Sequence, residues 1–222
     1  MLLSQLYDNS NFYFFNIEII DSSSTVLTSS SASFMVFQNT IMPQVSNLLA
    51  FGDSLSDMGN AKDSILNVPD VPPYWQGRFS NGPVWLEYVS EAYGLTTTVG
   101  SLSEQGDNRA FGGAQTGQGF SYLLLPNVGT QIGNYLANVQ TAIPSNDIIA
   151  LWAGGNDFLY GTANSDTIVA NMESHLRQLH EAGARQFIIP NLPPLEKTPE
   201  ILSRSQSQQS NIASEVISYN TK

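Results

Sequence analysis

The stretch LLAFGDSLSDMGN at residues 48–60 joins a short apolar run to a polar turn. The run LLAF predicts a buried strand, and Gly52, Asp53 and Ser54 predict a turn at its carboxyl end. A serine on such a turn exposes its hydroxyl above the edge of a sheet, and its own N–H can point at a developing oxyanion. Ser54 is therefore a candidate nucleophile. The alternative is an ordinary turn, because Asp, Ser and Gly are common turn formers.

Helical patterns recur downstream of this stretch. Apolar residues have helical spacing in four segments: 84–93, the stripe Val128, Ile132, Leu136, Val139 and Ile143 up to Pro144, 165–184, and a last segment with Ile212, Val216 and Tyr219. We expect the 165–184 helix to be capped by Ser165 or Asp166 and stopped by Gly183.

The fully apolar run IIALWAG at 148–154 and the run QFIIP at 186–190 predict further strands between these helices. Strands separated by helices of this length form a mostly parallel sheet that is covered on both faces, so the fold class is a layered α/β domain. Ligands of such sheets bind beyond the carboxyl ends of the strands. The loops that start at Gly52, Gly154 and Asn191 would open there.

Composition excludes several classes of function. The chain has 222 residues, 8 basic and 19 acidic side chains, a net charge of −11 and no cysteine. An acidic chain has no basic surface for a phosphate backbone, which argues against nucleic-acid binding. The lack of cysteine excludes disulfides, thiol catalysis and thiolate metal sites. No stretch approaches the ~20 apolar residues of a transmembrane helix, and the N-terminus is not typical of a signal peptide.

The first 44 residues differ in pattern from the rest. Aromatic and β-branched runs at 12–20 and 34–37 predict two strands, with a serine-rich linker between them. We expect residues 1–44 to form an extension or the tail of a preceding domain, and residues 45–222 to form the α/β domain. A role in covering a cleft is the alternative for the extension.

Three familiar motifs are absent at the places where they would be needed. The glycine-rich stretch FGGAQTGQG at 111–119 has no lysine, so it is not a phosphate-binding loop. Neither glycine cluster has the spacing of a dinucleotide fingerprint. Ser56 stands where the nucleophile elbow of α/β-hydrolases needs glycine.

Two further loops complement Ser54. The stretch FGGAQTG at 111–117 offers backbone N–H groups among small residues, and LWAGGNDF at 151–158 ends a strand at Asn156. An asparagine amide at the end of a strand is a good oxyanion donor, because it is neutral and directional. One hydroxyl, one backbone N–H and one amide at the same sheet edge suit acyl transfer from an ester.

Five ordered motifs resemble the GDSL esterase/lipase family of SGNH hydrolases, near its bacterial lipase and phospholipase-like members. They are FGDSLSDMGN (51–60), GRFSNGPVWLEY (77–88), NRAFGGAQTG (108–117), GGND (154–157) and AGARQFIIPNLPPLEKTP (182–199). The resemblance covers about residues 47–222. It implies a flavodoxin-like three-layer α/β/α sandwich and hydrolysis of carboxylic, lipid-type esters through an acyl-enzyme, with no metal or organic cofactor.

The resemblance also implies roles for individual residues. Ser54 matches the nucleophile and first oxyanion donor, Gly113 rather than Gly112 matches the second donor, and Asn156 matches the third. Asp53 and Asp57 match motif positions that brace the turn. In PNLPPLEKTP, Glu196 stands where the family often has glycine.

The catalytic base of this family lies in an Asp-x-x-His motif near the carboxyl terminus, which this sequence does not contain. Its two histidines, His175 and His180, both fall on the 165–184 helix, where structural or surface roles are expected. We therefore expect a chain that ends before its last strand and base, that is inactive alone, and whose 186–190 strand is an exposed sheet edge. A catalytically dead domain retained for ligand or partner binding is the alternative. An exported enzyme fits the low charge, the acidic balance and the absence of cysteine.

Overall fold

The computed structural model describes residues 45–99, 106–139, 141–161 and 164–222, together with the backbone of three short strands before them. In this described part of the chain there are six strands: β1 Phe12–Tyr13, β2 Ile19–Ile20, β3 Val26–Thr28, β4 Leu48–Gly52, β5 Ile148–Trp152 and β6 Gln186–Ile188. The same residues form the helices α1 Asn60–Asp63, α2 Trp85–Ala92, α3 Val128–Asn138, α4 Gly155–Tyr160, α5 Ser165–Glu181, α6 Pro199–Leu202 and α7 Gln206–Thr221, and a 3-10 turn covers Leu195–Lys197.

The main sheet is parallel, with the order β1-β6-β5-β4. Beyond β4 the sheet is extended by a bridge between Ala50 and Asn108, where Arg109 N–H donates to Ala50 O at 2.8 Å. Strands β4 and β5 pair from Leu48↔Ile148 to Gly52↔Trp152. The two strands therefore end level with each other, and the loops after Gly52 and Trp152 open on the same edge.

Helices cover both faces of the sheet. On one face, alternate strand residues pack against α3 and α5, and this cluster includes Leu49, Phe51, Ile149, Leu151, Ile132 and Leu176. On the other face, the intervening strand residues pack against α2 and the residue before it, with Leu48, Ala50, Ile148, Ile188, Val84 and Leu86 in one cluster. Alternation along β4, β5 and β6 thus builds two apolar layers. The predicted three-layer α/β/α fold is confirmed.

Helix α7 covers the end of the sheet from which the loops emerge. Its buried residues Ile212 and Val216 pack with Trp152 in a third cluster, as their helical spacing predicts. Among the described residues, no helix has both the length and the hydropathy needed to cross a bilayer.

Several predicted boundaries are wrong. Helix α5 is capped by Asn164, whose side-chain oxygen accepts the N–H of Thr167, and not by Ser165 or Asp166. Helix α3 ends at Asn138, because Val139 adopts an extended conformation and the N–H of Ile143 donates instead to Ala182 O. The predicted strands are longer than those observed at β5 and β6.

The N-terminal predictions are met only in part. The expected strand at 12–20 contains β1 and β2, and β2 pairs with β3 in a separate two-stranded sheet. The predicted strand at 34–37 lies outside the described residues. The expected exposed edge is wrong at two positions, because β1 pairs in parallel with β6 through Phe12↔Phe187 and Tyr13↔Ile188.

Candidate functional site

Ser54 lies on the turn that follows β4. The turn closes through two backbone hydrogen bonds, in which the N–H groups of Ser56 and Asp57 each donate to Asp53 O at 3.1 Å. Ser54 is partly exposed, whereas Asp53, Ser56 and Asp57 are buried. No hydrogen bond joins the hydroxyl or the N–H of Ser54 to any residue that the structure describes. The turn therefore presents one hydroxyl and one N–H at the open edge of the sheet.

The start of this turn requires glycine. A Cβ atom on Gly52 would lie 2.3 Å from the carbonyl oxygen of Trp152 on the paired strand. The buried side chain of Gln131, on α3, accepts the N–H of Gly52 at 3.0 Å and donates to its carbonyl at 2.9 Å. Both backbone groups of the residue two positions before Ser54 are thus held by one amide.

The second loop, residues 108–119, is bound to the first by a carboxylate and an amide. Asp57 accepts the N–H groups of Gly59, Asn60 and Ala61 at the start of α1, and its second oxygen also accepts Gly112 N–H at 2.8 Å. The amide of Asn60 donates to the carbonyls of Asn108 and Ala110, both at 2.9 Å. These bonds fix the distance between the two loops.

Asp57 also distinguishes the two glycines of the second loop. Gly112 N–H is engaged by the carboxylate, whereas Gly113 N–H has no acceptor among the described residues. Gly113 has φ +79°, a backbone conformation that residues with a side chain rarely adopt, and a Cβ atom at this position would meet the side chains of Leu123 and Tyr122. Of Gly112 and Gly113, it is therefore Gly113 whose backbone N–H is available to bind a ligand.

The third loop follows β5 and leads into α4. The side-chain amide of Asn156 donates to Ala114 O at 2.9 Å, which uses one of its two N–H bonds. The next residue, Asp157, accepts the hydroxyl of Thr116 at 2.6 Å and its N–H at 3.0 Å. Asn156 and Asp157 thus bind the third loop to the second by hydrogen bonds. One amide N–H of Asn156 has no acceptor among the described residues.

Buried carboxylates surround the base of these loops. Burial is the main cause that raises the pKa of Asp53 to about 7 and that of Asp57 to about 6, while backbone N–H donors to each carboxylate oppose the rise. Burial also raises the pKa of Asp157, against the lowering effect of Thr116. The described residues contain no group of three or more His, Cys, Asp or Glu side chains placed to hold a metal ion.

Neither histidine adjoins Ser54. His175 is buried on α5, with its Nε2 2.6 Å from Thr116 O, so Nε2 donates and the ring anchors the second loop. Burial lowers the pKa of His175. His180 lies near the end of α5, which runs back toward the start of β6 and therefore toward the opposite edge of the sheet. This placement supports the structural and surface roles expected for the two residues.

A groove lies beside the end of β6. It runs between α5 and α7 and is lined by Val169, Met172, Leu176, Ile189, Pro190, Tyr219 and neighbouring residues. Tyr219 joins it to the third loop, since its hydroxyl donates to Ala153 O at 3.3 Å.

The sequence motifs predict the three loops but not the side chains that hold them together. Gln131 and His175 each occupy a buried position on an otherwise apolar helix face, next to Ile132 and Leu176 respectively. A polar residue within an apolar helical stripe indicates such a side chain, because a buried polar group needs a specific hydrogen-bond partner. The partners themselves come from distant parts of the chain.

The GDSL-like Lipase/Acylhydrolase family model matches residues 48–222. A thermolabile hemolysin from Vibrio parahaemolyticus is 33% identical over 181 residues, 80% of this chain and 41% of that protein. A phosphatidylcholine-sterol acyltransferase from Aeromonas hydrophila is 31% identical over 178 residues, 74% of this chain and 49% of that protein. An acetylesterase from Thermothelomyces thermophilus is 29% identical, with coverage of 78% and 62%.

A solved structure of a lipolytic protein of the G-D-S-L family from Veillonella parvula covers 79% of this chain and 68% of its own, at 16% identity and a TM-score of 0.46. The chain spans less than half the length of the hemolysin and the acyltransferase. The family match extends over all three loops of the candidate site. The chain belongs to the GDSL-like lipase/acylhydrolase family.

Proposed function

We propose that this chain carries the acyl-transfer site of a carboxylic ester hydrolase, with Ser54 as the nucleophile. The observation that carries the proposal is the set of unengaged groups at one sheet edge. The hydroxyl and N–H of Ser54, the N–H of Gly113 and one amide N–H of Asn156 lack partners among the described residues, while their neighbours are bonded. Polar groups held free in this way suit an incoming carbonyl group.

The reaction runs through an acyl-enzyme. The Oγ of Ser54 attacks the ester carbonyl and its proton passes to a general base, giving a tetrahedral oxyanion. The N–H groups of Ser54 and Gly113 and the amide of Asn156 donate to that oxyanion. The C–O bond to the alcohol then breaks and the alcohol leaves with a proton. Water hydrolyses the acyl-Ser54 ester by the same steps in reverse and releases the acid.

Neither histidine is placed to act as the general base of Ser54. His175 is engaged with Thr116 O, and His180 lies toward the opposite edge of the sheet. In triad enzymes the loss of a member leaves only about 10³–10⁴-fold catalysis over water. We therefore expect the 222-residue chain to hydrolyse esters slowly on its own.

The substrates are lipid-type esters, and the enzyme acts outside the cell. The names of the relatives support the first statement, since they include lipases and a phosphatidylcholine-sterol acyltransferase. A relative from Salmonella typhimurium that is called a secreted effector protein supports the second.

Hydrolysis of p-nitrophenyl acetate tests the role of Ser54. Imidazole in the buffer supplies a small general base, so the wild-type chain should show a rate that rises with imidazole concentration above that of Ser54→Ala. Ser56→Ala is the matched control, because Ser56 lies on the same turn but its hydroxyl accepts the indole N–H of Trp85 at 3.1 Å. Equal rates for the wild type and Ser54→Ala at every imidazole concentration would exclude the nucleophile.

A further inference from the structure

A group of exposed apolar side chains borders the candidate site. Phe120 is 62% exposed, Tyr122 61% and Leu124 75%, and all three lie on one loop. Tyr160, at the end of α4, is 50% exposed, and its ring lies 4.9 Å from that of Tyr122. We call these four residues the aromatic rim. Monomeric soluble proteins seldom expose large apolar side chains together without a binding role.

The loop that carries the rim is held rigidly. Residues 120 and 126 pair as an antiparallel bridge, and Ser121 N–H donates to Leu125 O at 2.8 Å. The hydroxyl of Thr130, on α3, accepts Gly119 N–H at 2.8 Å. Leu125 is buried beneath the loop. The outward side chains are therefore presented by a fixed backbone, and their exposure is a property of the fold.

Leu124 combines exposure with an unfavourable backbone conformation. Its φ is +54°, in the region that glycine and asparagine prefer and branched apolar residues avoid. Its N–H donates to Ser121 O at 2.8 Å, which holds the turn. Neither the exposed side chain nor the strained backbone stabilises the fold, and strain of this kind is typical of functional segments.

The rim is continuous with the site. Tyr122 and Leu123 are the side chains that a Cβ atom on Gly113 would meet, at 3.4 and 3.0 Å. Tyr160 ends the helix that begins with the Asn156 loop. A long acyl chain that leaves an ester held at Gly113 and Asn156 would therefore meet apolar side chains first.

The charge of the residues around the rim indicates which kind of lipid surface the rim can bind. Residues 110–146, which contain the loop, carry no Asp, Glu, Lys or Arg, in a chain with net charge −11. Burial and the neighbouring Tyr160 raise the pKa of Tyr122, and Glu200, which is paired with Arg204 at 2.9 Å, adds to this rise. An uncharged aromatic surface on an acidic protein suits the interface of an uncharged or zwitterionic lipid, where Tyr and Phe rings are favoured, and disfavours an anionic one.

We propose that the aromatic rim docks the chain on zwitterionic lipid surfaces and so presents lipid esters to Ser54. The proposal rests on the proposed esterase function for its purpose, but docking itself needs no chemistry. Phe120 and Leu124 enter the interface, and the ring pair of Tyr122 and Tyr160 lies at the level of the headgroups.

Vesicle flotation with dioleoylphosphatidylcholine tests the docking directly. Removal of one inserted apolar side chain should weaken partitioning about tenfold, the scale set by the transfer of such a side chain from water. The variants are Phe120→Ser and Leu124→Asn, and asparagine is chosen because it accepts the backbone conformation at position 124. The double variant should lose binding. Vesicles rich in phosphatidylglycerol should bind the wild type more weakly at low salt.

Ile217→Ser is the matched control, since Ile217 is 65% exposed on α7. It should bind phosphatidylcholine vesicles like the wild type. Absence of wild-type binding, or equal losses for Ile217→Ser and the rim variants, would overturn the proposal. A wild-type dimer that the double variant converts to a monomer, with vesicle binding unchanged, would assign the rim to self-association instead.

The same variants separate this proposal from the esterase function. Ser54→Ala should bind vesicles as the wild type does, and the rim variants should keep the imidazole-dependent hydrolysis of soluble p-nitrophenyl acetate. If only vesicle binding fails the test, the docking surface is wrong. If only the Ser54-dependent rate fails, the nucleophile is wrong.

Discussion

Replacement of Gln131 by methionine removes the amide that holds the strand end before Ser54. The side chain is 3% exposed and makes three hydrogen bonds, with the N–H of Gly52 and with the carbonyls of Gly52 and Pro126. Methionine has a similar length and fills the same space without polar atoms, so the change tests the hydrogen bonds rather than the packing.

The loss in the free energy of unfolding depends on which buried backbone groups lose their hydrogen-bond partner. Three buried hydrogen bonds contribute about 1 kcal/mol each, and a buried N–H with no acceptor costs about 1–3 kcal/mol in addition. The carbonyl of Gly52 keeps the N–H of Phe111 at 3.1 Å, so only its second lone pair is lost. We expect Gln131→Met to lower the free energy of unfolding by about 3–5 kcal/mol.

Urea unfolding measures this change. With a slope of about 2 kcal/mol per molar urea, the midpoint should fall by about 1.5–2.5 M at an unchanged slope. Asn134→Met is the control, because Asn134 is exposed on the same helix. A loss below about 1 kcal/mol, or one equal to that of the control, would refute the idea that the amide holds the turn.

Three further changes test the site. Gly52→Ala should destabilise the fold, since its Cβ would lie 2.3 Å from Trp152 O, whereas Gly133→Ala, exposed on α3, should raise Tm slightly. Burial raises the pKa of Asp53 from 3.8 to about 7, so the folded state binds the extra proton and stability falls as pH rises through that range. Asp53→Asn should reduce this dependence in unfolding curves from pH 4 to pH 8 and leave the part that comes from Asp57 and Asp157, whose pKa values burial also raises. Asn156→Ala should lower turnover of p-nitrophenyl acetate about 10²–10³-fold, and an unchanged turnover would remove Asn156 from the oxyanion site.

Local patterns in the sequence predicted the layers of the fold. The apolar runs at β4 and β5 and the stripe of α5 depend on burial, which follows from residue type and spacing. Gly183 ends the α5 region as predicted, with φ +117° and no room for a Cβ beside Ile143 O. These features are encoded within a few consecutive residues.

Local patterns did not predict the ends of the helices or the hydrogen bonds between the loops. Asn164, Ser165 and Asp166 are three consecutive residues that can each cap a helix, so only the path of the chain decides among them. The engagement of Gly112 by Asp57 joins residues 55 positions apart, and Gln131 reaches Gly52 over 79 positions. Such pairs form only once the sheet is packed, so local sequence patterns do not predict them.

Mass spectrometry of the acyl-enzyme shows whether Ser54 is the nucleophile. The chain is incubated with p-nitrophenyl acetate and imidazole, quenched in acid, and mapped for the site of acetylation. We expect an acetyl group on Ser54 that is absent from Ser54→Ala and does not move to Ser56. Acetylation at other residues only, with Ser54 unmodified in the wild type, would contradict it.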